Sequence, residues 1–111
     1  MKIYNESDMT KGWFIGDFIP TAYRSRECEV ALKRYKTGDH ETAHVHKIAT
    51  EITMVVEGKV KMNGSEFSKG SIVVLDPGET TDFQVLENAT TIVVKLPSVK
   101  EDKYDIHRTS G

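Results

Sequence analysis

Two histidines and a glutamate stand close together in the stretch from Gly38 to Gly58, which reads GDHETAHVHKIATEITMVVEG. His44 and His46 are separated by a single valine, and Glu51 follows five residues after His46. Residues i and i+2 of a β-strand point to the same face. A His-x-His on a strand therefore aims two imidazoles at one point, and a carboxylate on the next strand can reach that point too. Two imidazoles and a carboxylate suit a divalent transition ion with open coordination positions, with iron, manganese, nickel and zinc as the candidates. Without an ion, the same three side chains are the polar lining of a cavity.

Such convergence requires strands, and strand signals dominate the chain. Residues 27–36 alternate, with Cys28, Val30, Leu32 and Arg34 on one face and Glu27, Glu29 and Lys33 on the other. That reading puts Arg34 at the inner end of its strand, near the mouth of the fold. A guanidinium there can grip a carboxylate or phosphate with two hydrogen bonds, or it can pair with a neighbouring acid. Residues 50–57 are rich in β-formers. Glu51, Thr53 and Val55 are expected to face inward, and Ile52, Met54 and Val56 outward. The outward row needs cover, from Trp13-Phe14-Ile15 or from a second copy of the chain, and so a homodimer is expected.

Gly58 is read as the end of that strand. Asn63-Gly64 predicts a type I′ hairpin turn, which needs positive φ at both central residues. Residues 71–75 read as a buried strand, and Asp76-Pro77-Gly78-Glu79 as a turn. From Thr81 to Val85 the pattern alternates, with Thr81, Phe83 and Val85 inward and Asp82 and Gln84 outward. Residues 86–89 read as a turn before a last strand that Pro97 stops. Arg34, Thr53, Thr81 and Phe83 together suit a small hydroxylated or anionic ligand, a sugar derivative or an organic acid, with the Phe83 ring as an apolar wall.

Residues 97–111 lack apolar periodicity, so ordering them would cost entropy with little burial to offset it. They are read as a surface tail that the site does not need. His107 belongs to that tail, and His40 reads as a solvated loop residue. One domain over residues 1–111 is expected: an N-terminal arm to residue 26, a barrel over about 27–96, and the tail. Short strands with turns every eight to twelve residues point to an antiparallel all-β sandwich or barrel.

Composition narrows the function classes. The 111 residues are 38% hydrophobic and 29% charged, with a formal net charge of -2. No basic patch suggests nucleic acid, and no apolar run suggests a membrane span. The N-terminal residues lack the apolar core of a secretory signal. Cys28 is the single cysteine, which fits a reducing cytoplasm.

The motif residues resemble those of the cupin superfamily. Its first motif is commonly written G-x5-H-x-H-x(3,4)-E-x6-G, and Gly38, His44, His46, Glu51 and Gly58 match every fixed position. The second motif, G-x5-P-x-G-x2-H-x3-N, is met by Gly70 and the Pro77-Gly78 turn with the proline shifted by one place. Thr81 stands where its histidine would be, and Val85 where its asparagine would be. The resemblance covers roughly residues 27–96 and implies a double-stranded β-helix, the jelly-roll barrel. In metal-bearing cupins the two histidines and glutamate of the first motif and the histidine of the second hold the ion. Three carry over as His44, His46 and Glu51. With Thr81 in the fourth place, the implied site has extra open positions and a weaker hold on its ion.

The function implied is a metal-binding small cupin that binds, and can transform, a small polar metabolite. The alternatives are a non-catalytic ligand-binding or regulatory cupin, and a metal-independent sugar isomerase or epimerase with His44 or His46 as general base.

Overall fold

Nine strands follow one another among the described residues: β1 (Trp13–Gly16), β2 (Tyr23–Arg24), β3 (Glu29–Tyr35), β4 (His40–His46), β5 (Thr50–Met62), β6 (Ser65–Ser68), β7 (Ile72–Leu75), β8 (Thr80–Leu96) and β9 (Lys103–Asp105). A computed structural model describes residues 1–100 and 102–105. The only regular helix among these is a single 3-10 turn at Glu6–Asp8, so no helix is long and apolar enough to cross a membrane. All pairings are antiparallel except β1 with β2. The expected antiparallel β architecture is present.

Two long strands organise the rest. β8 pairs with β4 along its first half, with β3 along its second half, and with β5 along most of its length. β5 also carries β7 on its first half and β6 on its second. Both strands run through positions that the sequence suggested as breaks, Gly58 in β5 and residues 86–89 in β8. Register shifts between Val55 and Val60 absorb the irregularity. Such bulges bend a strand without ending its pairing, so each long strand serves both walls of the barrel. The core lies between the walls: Val55, Val60, Met62, Leu75, Phe83, Val85 and Ala89, with Tyr35, Phe67 and Val73 packed against them.

Several local expectations hold. Asn63 and Gly64 have φ of 49° and 81°, as a type I′ turn requires. Thr53 and Val55 are buried while Met54 is 39% exposed.

The strand expected to be buried over residues 71–75 buries only Leu75, with Ile72 and Val74 exposed. Three further expectations are corrected. First, β3 presents the opposite face. Ala31, Lys33 and Tyr35 face inward, and Arg34 lies on the outside, its Nε 2.9 Å from the Glu6 carboxylate. Both faces of β3 carry apolar residues: Leu32 on the outer face lies beside the N-terminal arm, its N–H donating to the Gly12 carbonyl at 3.1 Å, and lines a groove with Met9 and Phe14. Second, Trp13-Phe14-Ile15 does not cover the outward row of β5. It forms β1 on the edge of β3, and Trp13 turns into the barrel. Third, the tail is structured as far as residue 105. β9 pairs with β4, with Lys103 opposite His46 and Tyr104 opposite Val45. A backbone ladder and buried Asp102 hold it, and neither needs apolar periodicity. His40 begins β4 but remains exposed, and His107 lies outside the described residues.

Gly58 shows what the corner requires. Its φ is 85°, and a Cβ there would press into the Asn88 carbonyl of the neighbouring strand. Gly64 has a similar φ but open space around it. Gly64→Ala should therefore cost only the backbone penalty, about 1–2 kcal/mol. Gly58→Ala should cost clearly more, because backbone must also move. Urea unfolding of the two variants checks this; equal losses would show that the corner is not tight.

Candidate metal and ligand site

His44 and His46 are inward residues of β4, 4% and 6% exposed. The Glu51 carboxylate arrives from β5 with its side chain 13% exposed. One donor atom from each of the three lies within 4.8 Å of the others. The two rings meet edge to face, centroids 5.4 Å apart. Alternation on β4 and the short link to β5 thus bring together the three residues that the sequence singled out.

The backbone fixes which nitrogens are available. His44 Nδ1 is 3.2 Å from the Thr42 carbonyl, and His46 Nδ1 is 3.3 Å from the Asp102 carbonyl. A carbonyl oxygen only accepts, so each Nδ1 carries the proton when it donates and the lone pair falls on Nε2. His46 Nε2 is fully buried and has no hydrogen-bond partner among the described residues; it stands 3.7 Å from Glu51 Oε1, too far for a hydrogen bond. Burial pushes the Glu51 carboxyl up. Lys95, and His46 and His44 whenever they carry a second proton, outweigh this and hold it below its ordinary value. An ionised carboxylate and buried Nε2 lone pairs facing one point are a group that could hold a divalent transition ion, and the orphaned Nε2 gives that group a reason to exist.

Thr81 pairs directly with His44 across the β4–β8 ladder. It is 2% exposed, and its hydroxyl donates to the Asp82 carbonyl at 2.7 Å. A neutral hydroxyl already engaged this way is a poor ligand. Thr53, Thr81 and Phe83 all line the cavity in front of the histidines, about 280 Å³ in volume. Arg34 does not.

Cations that the sequence reading missed take the place intended for Arg34. Lys33 and Lys95 line this cavity and lie 5.1 and 5.0 Å from the centre of the Trp13 ring. Neither has a carboxylate within 4.0 Å among the described residues. Lys11 and Lys103 stand at the same wall, with Lys103 paired to Glu41 at 3.5 Å. Burial lowers the Lys33 ammonium pKa; Glu41 opposes this, and the like charges of Lys11, Lys95 and Lys103 add to it. Tyr35 packs against Phe83 at 5.0 Å, and burial pushes its hydroxyl far up, with nearby Glu41 adding to the effect. It is a neutral hydrogen-bonding group at any ordinary pH. The buried Thr91 hydroxyl also lines the cavity and has no partner among the described residues. The signal for Lys33 and Tyr35 was present in the spacing Ala31-Lys33-Tyr35, but Val30 and Leu32 outweighed it.

No protein-family model matches the chain, and no curated protein matches it in sequence. Solved structures do. One is an uncharacterised conserved protein with a double-stranded β-helix domain from Klebsiella pneumoniae, 20% identical, with 67% of this chain and 66% of that chain aligned at a TM-score of 0.62. Another is the oxalate decarboxylase of Bacillus subtilis, 19% identical over 74% of this chain and 24% of that one, TM-score 0.63. A third is the DMSP lyase DddQ of Ruegeria pomeroyi, 14% identical over 89% of this chain and 52% of that one, TM-score 0.72. The chain spans less than two thirds of the length of each. These likenesses establish the fold, a double-stranded β-helix.

Proposed function

We propose that this cupin domain binds one divalent transition ion through His44, His46 and Glu51 and receives a small organic acid between that ion and the ammonium groups of Lys33 and Lys95. One observation carries the reading: the three donor atoms line the same small cavity as Lys33 and Lys95, neither of which has a carboxylate within 4.0 Å among the described residues. Four lysines against the two carboxylates Glu41 and Glu51 leave the lining net positive, a balance that an anion completes. The Bacillus decarboxylase acts on a dicarboxylate by name and has Mn(II) centres, which agrees with this chemistry.

A bound ion supplies Lewis acidity, or an oxygen-binding centre if it is iron. The chain's own groups do the rest. Lys33 and Lys95 neutralise and orient the carboxylate against Trp13. Tyr35 stays protonated and can donate a hydrogen bond. Phe83 gives an apolar wall and excludes water. Thr53 and Thr81 supply small polar surface, and Thr81 leaves the place opposite His44 free for water or substrate. A metal-independent isomerase accounts for the site less well, since it needs one base where three donors converge.

The pair of proposals separates experimentally. Gently purified protein dialysed with manganese, iron, nickel or zinc should retain about one ion per chain. His44→Ala should lose it, and Thr81→His should hold it through longer dialysis. No retention of any of the four metals by the wild type contradicts the ion site.

The lysine assignment is read by isothermal titration of the metal-loaded protein with malonate. Lys33→Met and Lys95→Met should each weaken binding roughly ten- to a hundredfold, the loss of one charge-assisted hydrogen bond. Arg34→Met should leave it unchanged. Equal binding by all variants would remove the lysines from the site.

We also propose that the chain is a homodimer through the outer face of β7, β5 and β8. Ile72 and Val74, 62% and 52% exposed, pair with Met54 and Ile52, which pair in turn with Ile92 and Val94. Met54 and Ile92 are 39% and 38% exposed and Ile52 and Val94 half-buried, and each Å² hidden from water contributes about 25 cal/mol. Light scattering at micromolar concentration should give twice the chain mass for the wild type and the single mass for Met54→Lys. A monomeric wild type contradicts it.

A further inference from the structure

His46 is held from behind by a residue outside the motif. Asp102, directly before β9, is 5% exposed. Its carboxylate accepts hydrogen bonds from the backbone N–H of Lys47 at 3.1 Å, of Ile48 at 3.1 and 3.2 Å, and of Ala49 at 2.8 Å. These three residues are the whole link between β4 and β5, and so the link between His46 and Glu51. The carbonyl of the same Asp102 faces His46 Nδ1 at 3.3 Å. A carboxylate buried in this way persists only because its donors satisfy it, and the turn it satisfies is held in one shape.

We propose that Asp102 is a positioning residue for the ion site: its carboxylate clasps the turn that spaces His46 from Glu51, and its carbonyl fixes His46 with the proton on Nδ1 and the Nε2 lone pair toward Glu51. The C-terminal strand is then part of the site, delivered onto β4 by the pairing of Lys103 with His46 and Tyr104 with Val45. The geometry at both ends of the turn supports this. His46 Nε2 and Glu51 Oε1 stand 3.7 Å apart, and that Nε2 is buried without a hydrogen-bond partner among the described residues. Ligand histidines are oriented by the group that their other nitrogen meets, and loss of such a group typically costs ten- to a hundredfold in metal affinity. The inference rests on the ion-site reading for its effect on affinity, but not for its effect on the imidazole.

The test uses the full chain as wild type, Asp102→Ala and Asp102→Asn, with near-ultraviolet circular dichroism to report folding. Nitrogen-15 spectra of the metal-free proteins at about pH 8, above the ordinary histidine range, read the tautomer of His46. Competition with a chelator reads cobalt(II) affinity, and the cobalt absorption bands read ligand geometry. The wild type should show His46 protonated on Nδ1. Asp102→Ala keeps the main-chain carbonyl but frees the turn that seats it against His46, and so should show mixed tautomers, altered cobalt bands and affinity lower by roughly ten- to a hundredfold. Asp102→Asn keeps one acceptor oxygen and should recover part of each. If Asp102→Ala does not fold, Asp102→Asn carries the comparison, with a partial loss on the same readouts expected. A tautomer, spectrum and affinity unchanged from wild type in the folded variants overturn the inference. A wild type that binds no cobalt defeats the ion-site reading instead, and the tautomer comparison still decides the role of Asp102.

Discussion

The backbone ladder along β8 is the constraint on which the site depends. It fixes β4 by pairing His44 with Thr81, β5 by pairing Glu51 with Lys95, and β3 by pairing Lys33 with Thr91. Each of these contacts sets which side chain faces the cavity. A slip of one residue would send a strand's inward set outward, so the two imidazoles, the carboxylate and the lysines are placed by registry before any side-chain chemistry acts. The tight corner at Gly58 serves the same end, because it lets β5 and β8 bend together and remain paired.

Within that frame the cavity interleaves both signs of charge. Glu51 joins the imidazoles of β4 and stands beside Lys95 on the β5–β8 ladder, Glu41 faces Lys103, and Lys33 and Lys95 flank Trp13. Half-buried ammonium groups are held at a desolvation cost, which shifts Lys33 toward its neutral form although Glu41 opposes the shift. Such an arrangement is poor for stability and useful for receiving an anion. Structural salt bridges such as Arg34–Glu6 lie on the outside, where solvent screens them.

How much of this was legible in the sequence follows from how each element is held. Elements carried by one-sided alternation or turn chemistry could be read: the His44/His46 face, the Glu51-Thr53-Val55 row, the Asn63-Gly64 turn and the Thr81-Phe83-Val85 row. β3 misled because it is apolar on both faces, one toward the core and one under the N-terminal arm. The period then identifies the strand but not its inward side, and Arg34 was placed where Lys33 stands. β9 left no pattern to read. It is held by main-chain pairing and by one aspartate acting on a turn more than fifty residues earlier, an interaction between distant residues that composition does not record. Residues 86–89 look like a turn, but their strand continues through them because β5 pairs alongside.

The central claim is that His44, His46 and Glu51 converge to hold an ion without a fourth protein ligand. Anomalous diffraction from crystals grown with manganese, recorded near the metal's absorption edge, tests it most directly. The account predicts one strong peak per chain within bonding distance of both imidazole Nε2 atoms and the Glu51 carboxylate, with Thr81 outside the coordination sphere. A map with no peak at that point, or a peak held by other residues, would contradict it.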